Sequence, residues 1–243
     1  MKTTAAIQLT DEPALIVDDI ELPDPGPGQV SVKLVSSGVC HSQLHQMHNP
    51  AIPKPSLFGH EGAGVVTGVG EGVSHVKEGD SAIVTWVRRS PIQGRIPADP
   101  TGASYHEIPI STPVYTWSKD VLTSGELVIP IGNQYPLDLV SIVGCAVLTG
   151  AGAVMNTAKV RPGESVAVYG AGGVGLCAIQ MAAILEAYPI IAVDLLDEKL
   201  EFSKKFGTRF SFRYRLSTTQ VSRYFQRQMV TALQGLFLIP GYC

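Results

Sequence analysis

Four side chains of this 243-residue sequence stand out as possible metal ligands: Cys40, His60, Glu61 and Cys145. Cys40 begins the stretch CHSQLHQMH, which holds three of the six histidines of the chain. The four are far apart in sequence, and no C-x-x-C pair joins them. A second interpretation of the residues alone therefore stays open, in which the cysteines are small core residues and His60 is a hydrogen-bonded core histidine.

A second group of residues has the pattern of a dinucleotide-binding turn. The β-branched run Ser165 to Tyr169 predicts a buried strand, and Gly170-Ala171-Gly172-Gly173-Val174-Gly175 follows it directly. The apolar run Leu176 to Ala187 predicts a helix, and Pro189 to Val193 predicts a second strand that ends at Asp194. A G-x-G-x-x-G motif between a strand and a helix, with an acid at the next strand end, indicates a Rossmann unit.

Each of these residues has a physical reason for its type. Gly170 permits a tight turn, Gly172 lets the backbone approach a pyrophosphate, and Gly175 allows the helix to pack closely on the strand. The helix N-terminus offers free N–H groups and a positive dipole to phosphate. Asp194 would accept hydrogen bonds from the ribose hydroxyls and repel a 2′-phosphate, which favours NAD over NADP. The alternative is a glycine-rich turn that binds nothing.

The elements that must position these residues differ between the two parts of the chain. Short β-like runs separated by turns predict an antiparallel or barrel-like β domain in the first part. These runs are Thr4–Leu9, Ala14–Ile20, Gln29–Ser37, the Val65–Val87 region and Leu127–Ile131. Residues Pro136 to Met155 predict short helices that lead into the βαβ unit. The fold class is therefore α/β plus β.

Composition limits the cellular context and the partners. The net charge of −3 gives no reason to expect nucleic acid as a partner. Four scattered cysteines do not form a disulfide framework, and a cytoplasmic location fits best. Two uncharged stretches, Leu139 to Ala158 and Ser165 to Leu185, are long enough to cross a membrane. Glycine and polar residues within them favour buried α/β packing, so we expect no membrane segment.

Several motifs in one order resemble the zinc-containing medium-chain alcohol dehydrogenase family. They are Cys40-His41-Ser42, Gly59-His60-Glu61-x-x-Gly64-x5-Gly70-x2-Val73, Gly79-Asp80, Gly144-Cys145 with Thr149-Gly150, and Val160-x-Pro162-Gly163 before the glycine turn. The resemblance implies a GroES-like catalytic domain over residues 1–155 and the first half of a Rossmann domain over 156–207. It also implies one catalytic zinc between the domains, NAD as cofactor, and a small alcohol or aldehyde as substrate.

The resemblance also implies a role for each matching residue. Cys40, His60 and Cys145 match the zinc ligands, and Glu61 matches the acid beside the metal. Ser42 matches the hydroxyl that takes the alcohol proton, and His45 the outer end of that relay. The positions matching cofactor contacts are Thr149, Gly170, Gly172, Gly173, Val174, Gly175, Asp194 and Lys199. The implied reaction transfers hydride from the alcohol to NAD while zinc acts as a Lewis acid.

Three features depart from the family pattern. Residues Arg88 to Tyr105 contain no cysteine, so we expect no structural zinc. Gln43 replaces an acid that supports the ligand histidine, although glutamine can still accept a hydrogen bond. The resemblance ends at Gly207, and the last 42 residues contain no acidic side chain.

We therefore expect a truncated chain with an atypical tail over residues 208–243 and weak or absent turnover. The family-type homodimer is doubtful, because the second half of the Rossmann sheet would be missing. The rival hypotheses are a non-catalytic remnant that binds zinc or dinucleotide, and a zinc-free quinone reductase.

Overall fold

The structure is a computed structural model that describes residues 1–88, 101–213 and the backbone of 236–240. The chain forms two compact units, Met1–Cys145 and Ala146–Cys243.

The first unit contains two antiparallel sheets of five strands each. The first sheet has the order β4-β1-β2-β7-β8, and the second has the order β10-β6-β5-β3-β9. The strands are β1 Lys2–Gln8, β2 Ile16–Glu21, β3 Gln29–Ser37, β4 Ser56–Leu57, β5 Gly62–Val69, β6 Ser81–Val84, β7 Ser104–Tyr105, β8 Ile108–Pro109, β9 Asp120–Ser124 and β10 Val128–Pro130.

Alternating side chains give these sheets a common core. Along β1, Thr3, Ala5 and Ile7 are buried, as a strand with one covered face requires. The core contains fully buried residues of both sheets, among them Ile7 and Ile20 from the first and Val30, Val32 and Leu122 from the second. Strand β3 pairs with both β5 and β9, and its register with β5 shifts twice.

Short helices complete the first unit. They are α1 Ser42–Met47, a 3-10 turn Gly125–Leu127, α2 Leu137–Val140 and a 3-10 turn Ser141–Gly144. Gln8 anchors the end of α1, because its buried amide donates to the carbonyl of Met47 at 2.8 Å.

The second unit contains one parallel sheet of four strands in the order β13-β12-β11-β14. The strands are β11 Ser165–Tyr169, β12 Ile190–Asp194, β13 Phe210–Arg213 and β14 Leu236–Pro240. The helices are α3 Ala146–Gly152, a π-helical segment Ala153–Ala158, α4 Gly173–Ile184, α5 Asp197–Ser203 and a 3-10 turn Lys204–Phe206. The strands follow the 3-2-1-4 order with which a Rossmann sheet begins.

The core of the second unit lies around β11, β12 and helix α4. Val166, Val168 and Ile190 are buried from the strands, and Ala178 and Ile179 from the helix. The apolar run over β11 fits a strand of a parallel sheet, where both faces are covered.

The predicted β domain followed by a partial Rossmann sheet is confirmed, and the predicted strands Gln29–Ser37 and Ser165–Tyr169 match the observed bounds. Helix α4 begins at Gly173, three residues before the predicted start. The tail, for which the sequence predicted no structure, contributes the strands β13 and β14. Across the described ranges no single helix is long and apolar enough to cross a membrane, and only Leu137–Gly144 with Ala146–Ala158 meets that length and composition as a bent pair.

Candidate functional site

The first unit brings three potential metal ligands together. Cys40, His60 and Cys145 each offer one ligand atom, and these atoms lie within 4.8 Å of one another. The two sulfur atoms are 3.9 Å apart, and both cysteines are buried. Two cysteines and one histidine that leave a fourth position open form the ligand set of a catalytic zinc site. No other group of three such residues was found among the residues that the structure describes.

Three separate segments supply these ligands. Cys40 follows β3 and precedes α1, His60 precedes β5, and Cys145 follows the 3-10 turn that begins at Ser141. The segment before His60 turns at Gly59, which has a φ of +98°. Glycine is required there, because any other residue would be strained at that φ and its Cβ would lie 2.5 Å from the Thr116 hydroxyl. The hydroxyl of Thr85 donates to the carbonyl of Gly144 at 2.6 Å and so holds the backbone before Cys145.

The environment of His60 leaves one ring nitrogen without a protein partner among the described residues. Its Nδ1 lies 2.7 Å from the amide nitrogen of Gln43. Its Nε2 is buried and has no hydrogen-bond partner among the described residues. Burial lowers the pKa of His60, so the ring is neutral near pH 7, as metal binding requires. A buried nitrogen without a partner, in a histidine whose ligand atom lies within 4.8 Å of two sulfur atoms, fits a bound metal ion.

The cysteines of the cluster also indicate a positive charge that would complete the site. Burial raises the pKa of the Cys145 thiol, and the negative charges of Cys40 and Glu61 raise it further. A hydrogen bond from Trp86 opposes this shift. A metal cation would reverse the shift, because a coordinating thiol loses its proton. The residues present therefore fit a zinc ion.

Glu61 lies beside the cluster in a space that depends on a glycine. Its side chain is only 3% exposed, and its backbone N–H donates to the hydroxyl of Thr116 at 3.2 Å. A Cβ at Gly38 would lie 2.1 Å from Oε2 of Glu61. Neither Gly38 nor Thr116 was predicted from the sequence as a supporting residue. The nearness of Gly38 to Cys40 was the available signal for the first, and no local pattern pointed to the second.

Ser42 and His45 occupy different environments on α1. The Ser42 hydroxyl donates to the Cys40 sulfur at 3.3 Å and therefore borders the cluster. His45 is exposed one turn later, and its ring contacts that of His41 with a centroid distance of 5.2 Å. Both therefore lie on one short helix that begins beside the metal ligands.

Gln43 departs from the expected arrangement. By residue type, its amide can still accept a hydrogen bond in support of His60, as the acid it replaces would. Its oxygen instead accepts from the backbone N–H of Cys40 at 3.0 Å, and its nitrogen faces His60. The difference arises because the turn before α1 brings the Cys40 N–H to the same buried amide.

The glycine turn of the second unit has the geometry that its sequence predicts. Gly170 has a φ of +92°, and a Cβ on Gly175 would lie 1.8 Å from the Gly170 carbonyl oxygen. A Cβ on Gly172 or on Gly173 would meet nothing within 4 Å. Open space therefore lies in front of the first turn of α4, where a phosphate could approach the backbone N–H groups.

Asp194 is joined to this turn by hydrogen bonds. Its Oδ2 accepts from the N–H of Ala171 at 2.7 Å, and its Oδ1 accepts from the N–H of Leu196 at 3.0 Å. These bonds fix the carboxylate at the end of β12, and each oxygen keeps a second lone pair for another donor.

The three remaining predicted cofactor contacts all lie in the second unit. Thr149 is exposed on α3, Val174 is buried in α4, and Lys199 is exposed on α5.

Comparison with known proteins gives concordant matches. The model of the alcohol dehydrogenase GroES-like domain matches residues 26–161. An S-(hydroxymethyl)glutathione dehydrogenase of Escherichia coli O1:K1 / APEC is 35% identical over 235 residues, which cover 85% of this chain. The chain spans 63% of the length of that relative.

Solved structures agree on the fold. An alcohol dehydrogenase zinc-binding domain protein from Burkholderia ambifaria superposes with a TM-score of 0.80 and 26% identity over 93% of this chain and 68% of its own. Benzyl alcohol dehydrogenase from Acinetobacter calcoaceticus superposes with a TM-score of 0.77 and 23% identity over 94% and 68%. At that lower identity the likeness shows the fold alone.

Proposed function

Because the chain belongs to the alcohol dehydrogenase GroES-like domain family, we propose that it is a zinc-dependent oxidoreductase that transfers hydride from an alcohol to NAD. The observation that carries the proposal is the cluster of Cys40, His60 and Cys145, whose ligand atoms lie within 4.8 Å of one another. A quinone reductase that works without zinc would not need two buried thiols and a buried imidazole nitrogen at one point.

The proposed metal site uses three protein ligands. Cys40 and Cys145 would bind through sulfur, and His60 through Nε2, because its Nδ1 already contacts Gln43. When bound, zinc supplies a Lewis acid that stabilises negative charge on the substrate oxygen. The chain has no cysteine between Cys40 and Cys145, so we propose one zinc and no four-cysteine structural site.

Ser42 is the proposed acceptor of the alcohol proton. Its hydroxyl lies 3.3 Å from the Cys40 sulfur, which places it at the edge of the metal site. A serine hydroxyl can accept one proton while it donates its own, so it can pass a proton along a relay. His45 is exposed on the same helix and would release that proton to water. Glu61 would add a buried negative charge beside the metal.

The second unit would bind the cofactor. The first turn of α4 would hold the pyrophosphate in the open space at Gly172 and Gly173. Asp194 would accept hydrogen bonds from the adenosine ribose, and its charge would disfavour a 2′-phosphate. Thr149, Val174 and Lys199 are the remaining proposed contacts.

The names of the relatives indicate a substrate class. They include an S-(hydroxymethyl)glutathione dehydrogenase, so we propose an alcohol or the corresponding aldehyde as the substrate.

The test combines metal analysis with an activity assay on the purified full chain. We expect one zinc per chain, loss of that zinc in Cys145→Ser, and alcohol-dependent formation of NADH. Zinc without turnover would instead identify a non-catalytic binding protein. Turnover without zinc would identify a zinc-free reductase and overturn the proposal.

A further inference from the structure

Gln43 is the buried residue that orients the histidine of the metal cluster. Its side chain is 1% exposed, so neither end of the amide is solvated. The oxygen accepts from the Cys40 N–H at 3.0 Å, and the nitrogen lies 2.7 Å from Nδ1 of His60. The same nitrogen also lies 3.4 Å from the Ser42 hydroxyl.

The orientation of this amide follows from its neighbours. A backbone N–H is only a donor, so the atom that faces Cys40 must be the amide oxygen. Rotating the amide by half a turn would place its NH₂ group against that N–H and leave the buried donor without an acceptor. The observed orientation leaves one buried donor, the Nε2–H of His60, without an acceptor. The rotated amide would bring two donors together and leave both the Cys40 N–H and an amide N–H without an acceptor, so the observed orientation is the more stable one.

This orientation determines which nitrogen of His60 carries the proton. The amide nitrogen donates, so Nδ1 must accept, and a neutral imidazole then holds its proton on Nε2. Nε2 is the ring nitrogen left for the cluster, because Nδ1 contacts Gln43, and it has no acceptor among the described residues. A protonated Nε2 cannot bind a metal ion, because its lone pair is used.

We propose that Gln43 holds the metal-free site in a tautomer of His60 that does not bind metal, so that zinc enters only when the amide turns over. This inference rests on the proposed zinc site. Only the molecules with the amide turned over can bind zinc. The apparent zinc affinity of the chain is therefore the intrinsic affinity of the site reduced by that fraction. A glutamate at position 43 removes this competition, since its carboxylate accepts from the Cys40 N–H and from a His60 Nδ1–H together.

The first experiment reads the tautomer directly. Long-range ¹H–¹⁵N NMR spectra of the metal-free full chain distinguish a protonated Nε2 from a protonated Nδ1, and His60→Gln assigns the signal. We expect the Nε2–H form in the unsubstituted chain and the Nδ1–H form in Gln43→Glu. An Nδ1–H form in the unsubstituted chain overturns the proposal, whether or not any variant folds differently or turns over alcohol.

The second experiment measures zinc affinity by competition with a chromophoric chelator. Gln43→Glu should bind zinc about 10–100-fold more tightly, the usual effect of a carboxylate behind a ligand histidine. Gln46→Glu is the matched control, because it adds the same charge on an exposed position of the same helix. Equal affinities of Gln43→Glu and the unsubstituted chain overturn the inference. Absence of zinc binding in every variant contradicts the proposed function instead, and the tautomer measurement still decides the role of Gln43.

Discussion

Two glycines on helix α4 allow a matched test of why the glycine turn before this helix needs its sequence. Gly173 and Gly175 are two residues apart, but their surroundings differ. A Cβ on Gly175 would lie 1.8 Å from the Gly170 carbonyl oxygen, whereas a Cβ on Gly173 would meet nothing within 4 Å. We therefore expect Gly175→Ala to destabilise the second unit and Gly173→Ala to leave it as stable or slightly more stable.

The magnitude follows from two opposing effects. Replacing glycine by alanine favours a helix by up to about 1 kcal/mol. In Gly175→Ala the 1.8 Å approach must open to about 3.4 Å, and the obstructing atom is backbone, which cannot rotate away. Overpacking of this kind costs about 1–3 kcal/mol. After the gain of about 1 kcal/mol in helix propensity, the net loss for Gly175→Ala is up to about 2 kcal/mol. Gly173→Ala keeps only the gain.

Urea unfolding followed by circular dichroism measures this difference. At about 2 kcal/mol per M, a loss of about 2 kcal/mol lowers the midpoint by about 1 M. Tryptophan fluorescence provides an internal reference, because Trp86 and Trp117, the two tryptophans of the chain, lie in Met1–Cys145. Equal midpoints for the two variants would refute the reasoning that helix α4 packs on the turn at the distance described.

Three further predictions concern ligand binding and the metal site. Gly172→Ala should fold normally, because the φ of −81° at this position suits any residue. It should nevertheless bind NADH about 10–200-fold more weakly, the usual range for one misplaced methyl group. Unchanged NADH binding in a fluorescence titration would contradict the proposed phosphate contact. Zinc affinity should rise with pH by up to about tenfold per pH unit for each proton released. Burial raises the pKa of Cys145 and lowers that of His60, so the thiol protons and not the imidazole proton compete with the metal. A zinc affinity that is already constant above about pH 7 would show that the thiols lose their protons at lower pH. Gly38→Ala should lower the unfolding free energy of the first unit by about 1–3 kcal/mol, since its Cβ would lie 2.1 Å from the Glu61 carboxylate. An unchanged unfolding midpoint, followed by tryptophan fluorescence, would show that the Glu61 side chain moves away without cost.

The turn and the ligand cluster could be predicted because their signals are local and ordered along the chain. The strand Ser165–Tyr169, the glycines after it and Asp194 each have a sequence pattern that fixes their conformation, and the structure joins Asp194 to Ala171 as expected of one unit. Cys40, His60 and Cys145 have no local signal that links them. They could be predicted together only from the order of several motifs, and their meeting within 4.8 Å supports that order.

The strands of the tail could not be predicted, because pairing with the existing sheet determines them more than their own sequence does. Phe210–Arg213 pairs with β12 and Leu236–Pro240 with β11, each in parallel register. The apolar side chains of Phe210 and Phe212 are exposed. Strand β13 therefore lacks the match between apolar residues and buried positions on which a strand prediction depends. Arg213 at the end of β13 forms an ion pair with Asp197 of α5, which joins the acid-free tail to an acid before it.

Position 43 shows most clearly what sequence reasoning omits. The residue type alone predicts that glutamine can support His60, since an amide can accept a hydrogen bond as a carboxylate does. Whether it accepts or donates depends on a second neighbour, the Cys40 N–H, which takes the amide oxygen at 3.0 Å. A carboxylate has two acceptors and can satisfy both neighbours, but an amide has one acceptor and must give its nitrogen to the other. The exchange of one oxygen for an NH₂ group therefore reverses the hydrogen bond to the proposed metal ligand His60, while the volume and position of the side chain remain nearly the same.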